Sequence, residues 1–476
     1  MAQTLAPHVA HRTPDPRRWK ALTLLSVAQF MLILDVTVVQ VALPSMGVDL
    51  SLGRQALTWV VTTYTLAFGG LMLFGGRLAD LFGARRILLV GLALFTLASL
   101  GATFAPDGVT LIAGRAAQGV GAALLSPAAL AIVSTTFVGP ERHKALGVWA
   151  GIGGMGAAIG VLLGGLLTAG PGWEWVFGIN VPVGIVVFAL LLRVVPANRV
   201  AAARTGVDLP GAIAVTAAVS ALIYGLVTAG DSGWDSPQTL IPLGAGLVLV
   251  GVFAAIERTS AAPLMRVQML TRRPVLAGAF LMLVATGLLI AFFFLGSLYL
   301  QQARGFGPLK TGLMFLPAAV AIGAGAHLGG RLIGRIGARP VAAGGLLISA
   351  GGAFLLTQIG VTGTAYATFL PGLAVAAFGV GPVFVAATTS ALAHVKHHEA
   401  GLASGVVNTF HELGGAVGVA VASTIAAVSI GSTIPQAVGF VDAYAVSTVV
   451  AIVAAGIAVG LVPPGKAVIT GGPHVH

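Results

Sequence analysis

Apolar stretches of about twenty residues recur along almost the whole chain, separated by short polar or glycine-rich connections. A helix of that length crosses a hydrocarbon core of about 30 Å. Charged residues make up 8% of the sequence, against about 25% in soluble domains, so most of these stretches have no use for water. The chain therefore reads as an all-α polytopic membrane protein. Fourteen spans are expected, at about 21–44, 56–75, 86–104, 109–137, 145–169, 175–195, 209–229, 239–256, 275–301, 311–330, 340–360, 365–392, 401–428 and 440–462. The connections leave no room for a soluble domain. The first twenty residues are polar and broken by Pro14 and Pro16, and the apolar run after them is too long for a cleavable signal. Cysteine is absent, which removes disulfides, thiolate metal sites and thiol redox chemistry. No metal site is expected, and "KHHE" (Lys396 to Glu399) reads as a solvated loop.

The net charge of +11 raises the question of nucleic acid, and its distribution answers it. With the N-terminus inside, 21 of the 25 Lys and Arg residues fall in cytoplasmic segments. Arg54, Arg304 and Lys310 lie outside, and Arg115 lies within a span. Acidic residues divide evenly between the two sides. A bias confined to the basic residues is the positive-inside pattern. The charge thus orients the chain in a cell membrane with both termini cytoplasmic, and no nucleic-acid partner is expected.

One phrase is written twice. "GGRLADLFGARR" runs from Gly75 to Arg86 and "GGRLIGRIGARP" from Gly329 to Pro340, with seven of twelve positions identical. Both copies are expected in cytoplasmic loops, after the second and the tenth span. If spans seven and eight are an insertion, these loops are equivalent. The chain then holds two six-helix bundles related by a pseudo-two-fold axis, plus two extra central helices, which is a known transporter plan. The expected divisions are a tail at 1–20, an N-terminal bundle at 21–200, the two added helices at 201–262, a C-terminal bundle at 263–464 and a tail at 465–476. Spans seven and eight are uncharged and are expected at the periphery.

The phrase is expected to act as a gate hinge. Gly76 and Gly83 would let helix ends approach, while Asp80 meets Arg85, Arg86 and a helix N-terminus. Gly330, Arg331 and Arg339 are the second-half counterparts, with Gly334 where the aspartate stood. Plain topogenic anchoring is the alternative.

Two carboxylates lie inside spans. Asp35 sits about 20 Å, and Glu412 about 16 Å, from the start of its span. A charge that deep costs from about 2.5 to well over 10 kcal/mol, so each is either a functional proton site or a buried structural anchor. Arg115 is the one cation in the core of a span, near the depth of Asp35; it cannot deprotonate and needs an anionic or carbonyl partner. His411 adjoins Glu412, and His327 lies in span ten; either can assist a proton relay or simply bond a neighbouring helix. The spacing of Gly156, Gly160, Gly164 and Gly165 puts small residues on one face for close helix packing. An apolar cavity would take its lining from aromatics and a few polar groups. The candidates are Phe30, Tyr64, Phe292, Phe293, Tyr299 and Phe410, with Gln29, Gln118 and Asn408.

These residues resemble the major facilitator superfamily, and within it the fourteen-span drug:proton antiporters. The loop phrase matches at Gly76, Asp80, Gly83, Arg85 and Arg86. "LDVTVVQVALP" (Leu34 to Pro44) is similar to the family's first-span motif, and "LIAGRAAQGVGAA" to its fourth at Arg115, Gln118, Gly119 and Gly121. "WEWVFGINVPVG" (Trp173 to Gly184) resembles the entry to span six, and "NTFHELGGAVGVA" (Asn408 to Ala420) the thirteenth span. The antiporter motif of span five departs at Val161, which stands in place of proline. The resemblance implies a proton-coupled exporter of lipophilic, often cationic compounds, working by rocker-switch alternating access, with Arg115 taking part in proton transfer. An exporter of one metabolite or antibiotic is the alternative, and an importer or uniporter a weaker one. No enzyme activity and no cofactor are expected. The sequence has no G-x-x-x-x-G-K-[ST] loop, so no nucleotide is expected. The expected partners are protons, a small molecule and the bilayer, with the chain as a monomer.

Overall fold

The computed structural model describes residues 16–137, 141, 145, 156, 159–160, 162–195, 208–260, 272–361, 364–392, 400–428 and 437–465. Among them every regular element is helical. The first bundle holds α1 (Arg18–Asp49), α2 (Arg54–Phe82), α3 (Ala84–Thr103), α4 (Gly108–Thr136), the single turn α5 (Trp175–Gly178) and α6 (Asn180–Val194). Next come α7 (Leu209–Ser232) and α8 (Pro237–Thr259). The second bundle holds α9 (Arg273–Leu298), α10 (Pro308–Ile336), α11 (Ala338–Leu356), α12 (Ala365–Leu392), α13 (Ala400–Ile425) and α14 (Val438–Leu461). Twelve described stretches are long and apolar enough to cross a membrane. The span expected over 401–428 is α13. The one expected over 145–169 is described mainly from 162 onward, where it is helical to 169.

Helix starts follow side-chain chemistry. A free N-terminal turn leaves backbone N–H groups without partners, and a short polar side chain can accept from them. Asp107 accepts from Thr110 N at 2.8 Å, Asp208 from Gly211 N at 2.8 Å, and Ser236 from Thr239 N at 3.3 Å. Large apolar side chains stay exposed around the outside, including Leu97, Ile241, Val320 and Val449. On a soluble protein such a surface would seek a partner; here it is the face that meets lipid tails.

Close packing inside each bundle depends on absent side chains. A Cβ on Gly91 would sit 2.7 Å from Gly121 O, where α3 crosses α4, and a Cβ on Gly345 would sit 2.7 Å from Gly379 O, where α11 crosses α12. The same crossing is thus made in both halves.

The repeated phrase shows the same symmetry, with a correction to its expected setting. It is not a loop. Its first eight residues form the last turns of α2 and α10, and the break in each case is a single glycine. Gly83 has φ 92° and Gly337 φ 87°, a conformation that favours glycine because it carries no Cβ. The arginine two residues later then caps the sixth helix of its own half. Arg85 Nη2 donates to Leu192 O at 2.8 Å, near the end of α6. Arg339 Nε donates to Val462 O at 2.7 Å, just past α14. Cations suit a helix C-terminus, where backbone carbonyls lack partners.

The added helices are not both peripheral, which is a second correction. The α8 helix lies mostly exposed, with Leu240, Ile241, Leu247 and Val248 on its outer face. The α7 helix instead packs against both bundles, in a cluster that joins Val219, Ile223 and Val227 to Val406, Ala416 and Leu413 of α13 and to Leu66 and Leu73 of α2. Small residues permit this approach. A Cβ on Gly69 of α2 would lie 3.5 Å from Ile223, and Gly70 faces Ser220.

Candidate functional site

A buried ion pair forms where α1, α2, α4 and α6 converge. Asp35 is 0% exposed and Arg115 1%, so neither charge reaches solvent. Burying two charges is tolerable only if nearly every lone pair and N–H is used, and the local sequence supplies the partners. Arg115 Nη1 donates to Asp35 Oδ2 and, at 2.9 Å, to Gln118 Oε1, one helical turn on. Arg115 Nε donates to Val60 O at 3.0 Å, a carbonyl of α2. Gln118 Nε2 donates to Asp35 Oδ1 at 3.0 Å and to Ser99 Oγ at 2.8 Å. Asn180 Nδ2, in the first turn of α6, also donates to Asp35 Oδ1, at 3.2 Å. The guanidinium carbon lies 4.4 Å from the centre of the Tyr64 ring and 5.8 Å from that of Phe177, within cation–π range. The whole network belongs to one bundle.

Small residues press on the helix that carries this acid. Cβ atoms on Gly156, Gly160 and Gly164 would run into Ile33, Thr37 and Val38 of α1. Three glycines of the expected packing face therefore hold the turns of α1 on either side of Asp35. Gly165 points elsewhere, with its Cβ position 2.9 Å from Pro308 O and 3.1 Å from Leu309 Cα of the opposite bundle.

The bundles are joined at that end of the molecule. Ser297 Oγ donates to Gln40 O at 2.6 Å, and Gln301 Nε2 donates to Val41 O at 2.9 Å. These two bonds tie the C-terminal part of α1 to the end of α9 and the π-helical turn after it, Tyr299–Ala303.

Beneath this seam a cavity of about 50 Å³ lies between the bundles, lined by α1, α2, α9 and α13. It has room for a few waters rather than for a drug-sized molecule. Glu412 faces it and, among the described residues, makes no hydrogen bond or ion pair. Its Cβ lies 2.5 Å from where a Cβ on Gly69 would stand, so α2 gives way to it. His411 also lines the cavity, and its Nδ1 shares a hydrogen bond of 2.9 Å with Thr286 Oγ1. The two acids thus stand in different settings: Asp35 saturated within one bundle, Glu412 unpartnered between two.

None of the nine expected cargo contacts lines this cavity. Gln118 and Tyr64 serve the ion pair. Phe292 packs on Tyr444, and Phe293 on Phe315 with ring centres 5.0 Å apart. Tyr299 donates its hydroxyl to Gly360 O at 2.6 Å and packs on Phe369 and Phe440. Phe410 joins the α7 cluster, Phe30 lies near Gly156, and Gln29 and Asn408 are half-buried. Of the expected gate residues, Arg86, Gly330 and Arg331 are exposed and Gly76 is half-buried. The side chain of Asp80, the residue Val161 and the segment Lys396 to Glu399 lie outside the described residues, and His327 is exposed on α10. Sequence reasoning missed Asn180, Ser99 and Gln40. Asn180 stood inside the quoted entry to span six, where a polar side chain at membrane depth was the available signal.

A sequence model of the family described as Major Facilitator Superfamily matches residues 25–419. The chain is similar to the puromycin resistance protein pur8 of Streptomyces alboniger, with 42% identity over 419 residues, 87% of this chain and 82% of the relative. It is 38% identical over 410 residues to the cephamycin export protein CmcT of Amycolatopsis lactamdurans, covering 85% and 84% of the two chains. It is 35% identical over 426 residues to the multidrug resistance protein Stp of Mycobacterium tuberculosis H37Rv, covering 88% and 78%. In fold it is similar to the crystal structure of a bacterial homolog of the human lysosomal transporter Spinster, inward-facing and unoccupied. That match has a TM-score of 0.59 and 16% identity, and covers 94% of this chain and 97% of that one.

Proposed function

The chain belongs to the major facilitator superfamily, and from that premise we propose that it exports lipophilic, often cationic small molecules in exchange for protons. The observation that carries this reading is the pair of acids in contrasting settings. Asp35 and Arg115 form a closed network inside the first bundle, while Glu412 stands unpartnered between the bundles. A proton on Asp35 removes the charge that holds Arg115, so the network can exist in two arrangements, as a switching element requires. The same helix that carries Asp35 is tied to the second bundle through Gln40 and Val41. Protonation on α1 thereby has a mechanical route to the seam. His411 assists from its bond to Thr286.

The bundles at 21–200 and 263–464 would rock about the central cavity, with the helices of 201–262 between them and the tails 1–20 and 465–476 in the cytoplasm of a bacterial cell. Asp80, Arg85 and Arg86 would latch the cytoplasmic side in one state, as a monomer and without nucleotide. The driving force is adequate. One net charge moved through 100 mV, as when one proton enters for a neutral cargo or two enter for a monovalent cation, is worth about 2.3 kcal/mol, roughly a 50-fold gradient. The names of the relatives, which speak of puromycin resistance, cephamycin export and multidrug resistance, support export over import. Two of those names specify one compound each, and Val161 departs from the antiporter motif. Both features favour, as the second reading, a dedicated exporter of a single antibiotic or metabolite.

The test is accumulation of a panel of fluorescent cations and antibiotics in everted membrane vesicles. Uptake that follows an imposed pH gradient, ignores ATP and vanishes in Asp35→Asn supports antiport. Uptake that persists without a gradient, or that survives neutralising both Asp35 and Glu412, sinks it. Uptake of one compound alone selects the second reading.

A further inference from the structure

The cavity between the bundles holds a group that the export reading leaves unused. Gln40 lines it and is 1% exposed, yet neither its amide oxygen nor its amide nitrogen has a hydrogen-bond partner among the described residues. Folded proteins pair nearly all such groups, so an orphaned one at a cavity wall points to a missing partner. The backbone at this position is fixed, because Ser297 Oγ bonds the Gln40 carbonyl. Only the side chain is left over.

The other lining groups define what that partner is. Glu412 offers an unpartnered carboxylate. Thr62 Oγ1 donates to Thr58 O at 2.8 Å, which spends its proton and leaves its oxygen to accept. Thr65 Oγ1 does the same toward Val61 O at 3.5 Å. His411 and Thr286 also line it but are bonded to each other, at 2.9 Å. The rest of the lining is Val36, Val61, Ile290, Val419 and Gly415, with no Phe, Tyr or Trp. This wall is rich in acceptors and holds one acid, Glu412, that a bound cation can pair with once it is ionised. A cation that brings N–H donors satisfies several of these groups at once. A quaternary ammonium brings none, and the aromatic faces that would bind it pack elsewhere.

We infer that this cavity is a cargo subsite selective for protonated primary or secondary amines over quaternary ammonium ions. Glu412 is the counter-ion and Gln40 the specificity-determining hydrogen-bond partner. The inference rests on the export reading and narrows its substrate class. The volume of about 50 Å³ accepts an ammonium head group, and the rest of the cargo is admitted when the bundles part.

The test compares two fluorescent cations of equal length, dansylcadaverine and its N,N,N-trimethyl analogue, by anisotropy with the purified full chain in detergent. The wild type should bind the primary amine about tenfold more tightly, the scale of one charge-assisted hydrogen bond. Gln40→Met should weaken the primary amine about five- to tenfold and leave the trimethyl cation within about twofold. Glu412→Gln should weaken both about tenfold or more. Should Gln40→Met not fold, Gln40→Asn, which withdraws the amide by one methylene, serves the same comparison. Equal affinities in the wild type, equal losses in the Gln40 variant, or no binding of either cation would overturn the subsite. Selective binding without gradient-driven accumulation in everted vesicles would leave the subsite standing and overturn the export reading instead.

Discussion

Replacing Asp35 by Asn tests how completely the ion pair is withdrawn from water. The variant keeps the shape of the side chain, and its amide oxygen can still accept from Gln118 Nε2 and Asn180 Nδ2. What disappears is the charge opposite Arg115, which is 1% exposed and retains only Val60 O, Gln118 Oε1 and two ring faces. Removing one partner of a buried pair costs about 3–5 kcal/mol, because the survivor is left buried and uncompensated. Arg115→Met should cost less, since an acid left alone can take up a proton whereas a guanidinium cannot lose one. The double variant Asp35→Asn/Arg115→Met should return to within about 1 kcal/mol of the wild type, as apolar replacements of buried pairs do. Unfolding of the purified protein in mixed micelles, followed by tryptophan fluorescence against SDS, gives all four corners of the cycle. A coupling energy above about 2 kcal/mol is expected. A loss below about 1 kcal/mol for Asp35→Asn would mean that water reaches the pair. Additive losses in the double variant would mean that the two residues do not depend on each other. Either result refutes the reasoning.

Other consequences are open to measurement. Ser297→Ala with Gln301→Leu removes two hydrogen bonds between the bundles, each worth about 1 kcal/mol, and should shift the closed-to-open ratio about 5- to 30-fold. The chain has no cysteine, so spin labels introduced at Val48 and Leu309 can read that shift as a longer distance population; an unchanged distribution would contradict it. Gly121→Ala sets a Cβ 2.7 Å from Phe95 N and should destabilise by about 1–3 kcal/mol, whereas Gly351→Ala meets nothing within 4 Å and should be neutral or slightly stabilising. Equal melting temperatures for these two variants would refute the packing argument. Gly69→Leu drives a side chain into Glu412 and should abolish gradient-driven transport while expression persists; wild-type transport would show that α2 does not need this gap.

What could be read from the sequence follows from what a membrane imposes. Depth is legible, because 1.5 Å per residue in a helix of known ends fixes how far a group lies from either surface. That placed Asp35 and Arg115 at one level before any contact was known. Direction around the helix axis is far less legible. Lipid tails and protein interior are both apolar, so the contrast that betrays the buried face of a soluble helix is absent. Phe292, Phe293 and Tyr299 were therefore expected at a cavity and instead pack inside the second bundle, while Gln40, near a helix end, gave no reason for notice. The repeated phrase declared the two-fold plan, yet its glycines suggested a loop where φ is positive only at Gly83 and Gly337. The network around Asp35 needed Asn180 from α6, far away in the chain, and no spacing rule connects the two.

The position of α7 makes the molecule lopsided toward the bilayer. A greasy strut laid along the join of α2 and α13 denies acyl chains access on that flank. A compound already dissolved among the lipids meets packed side chains on that flank rather than the cavity between the bundles.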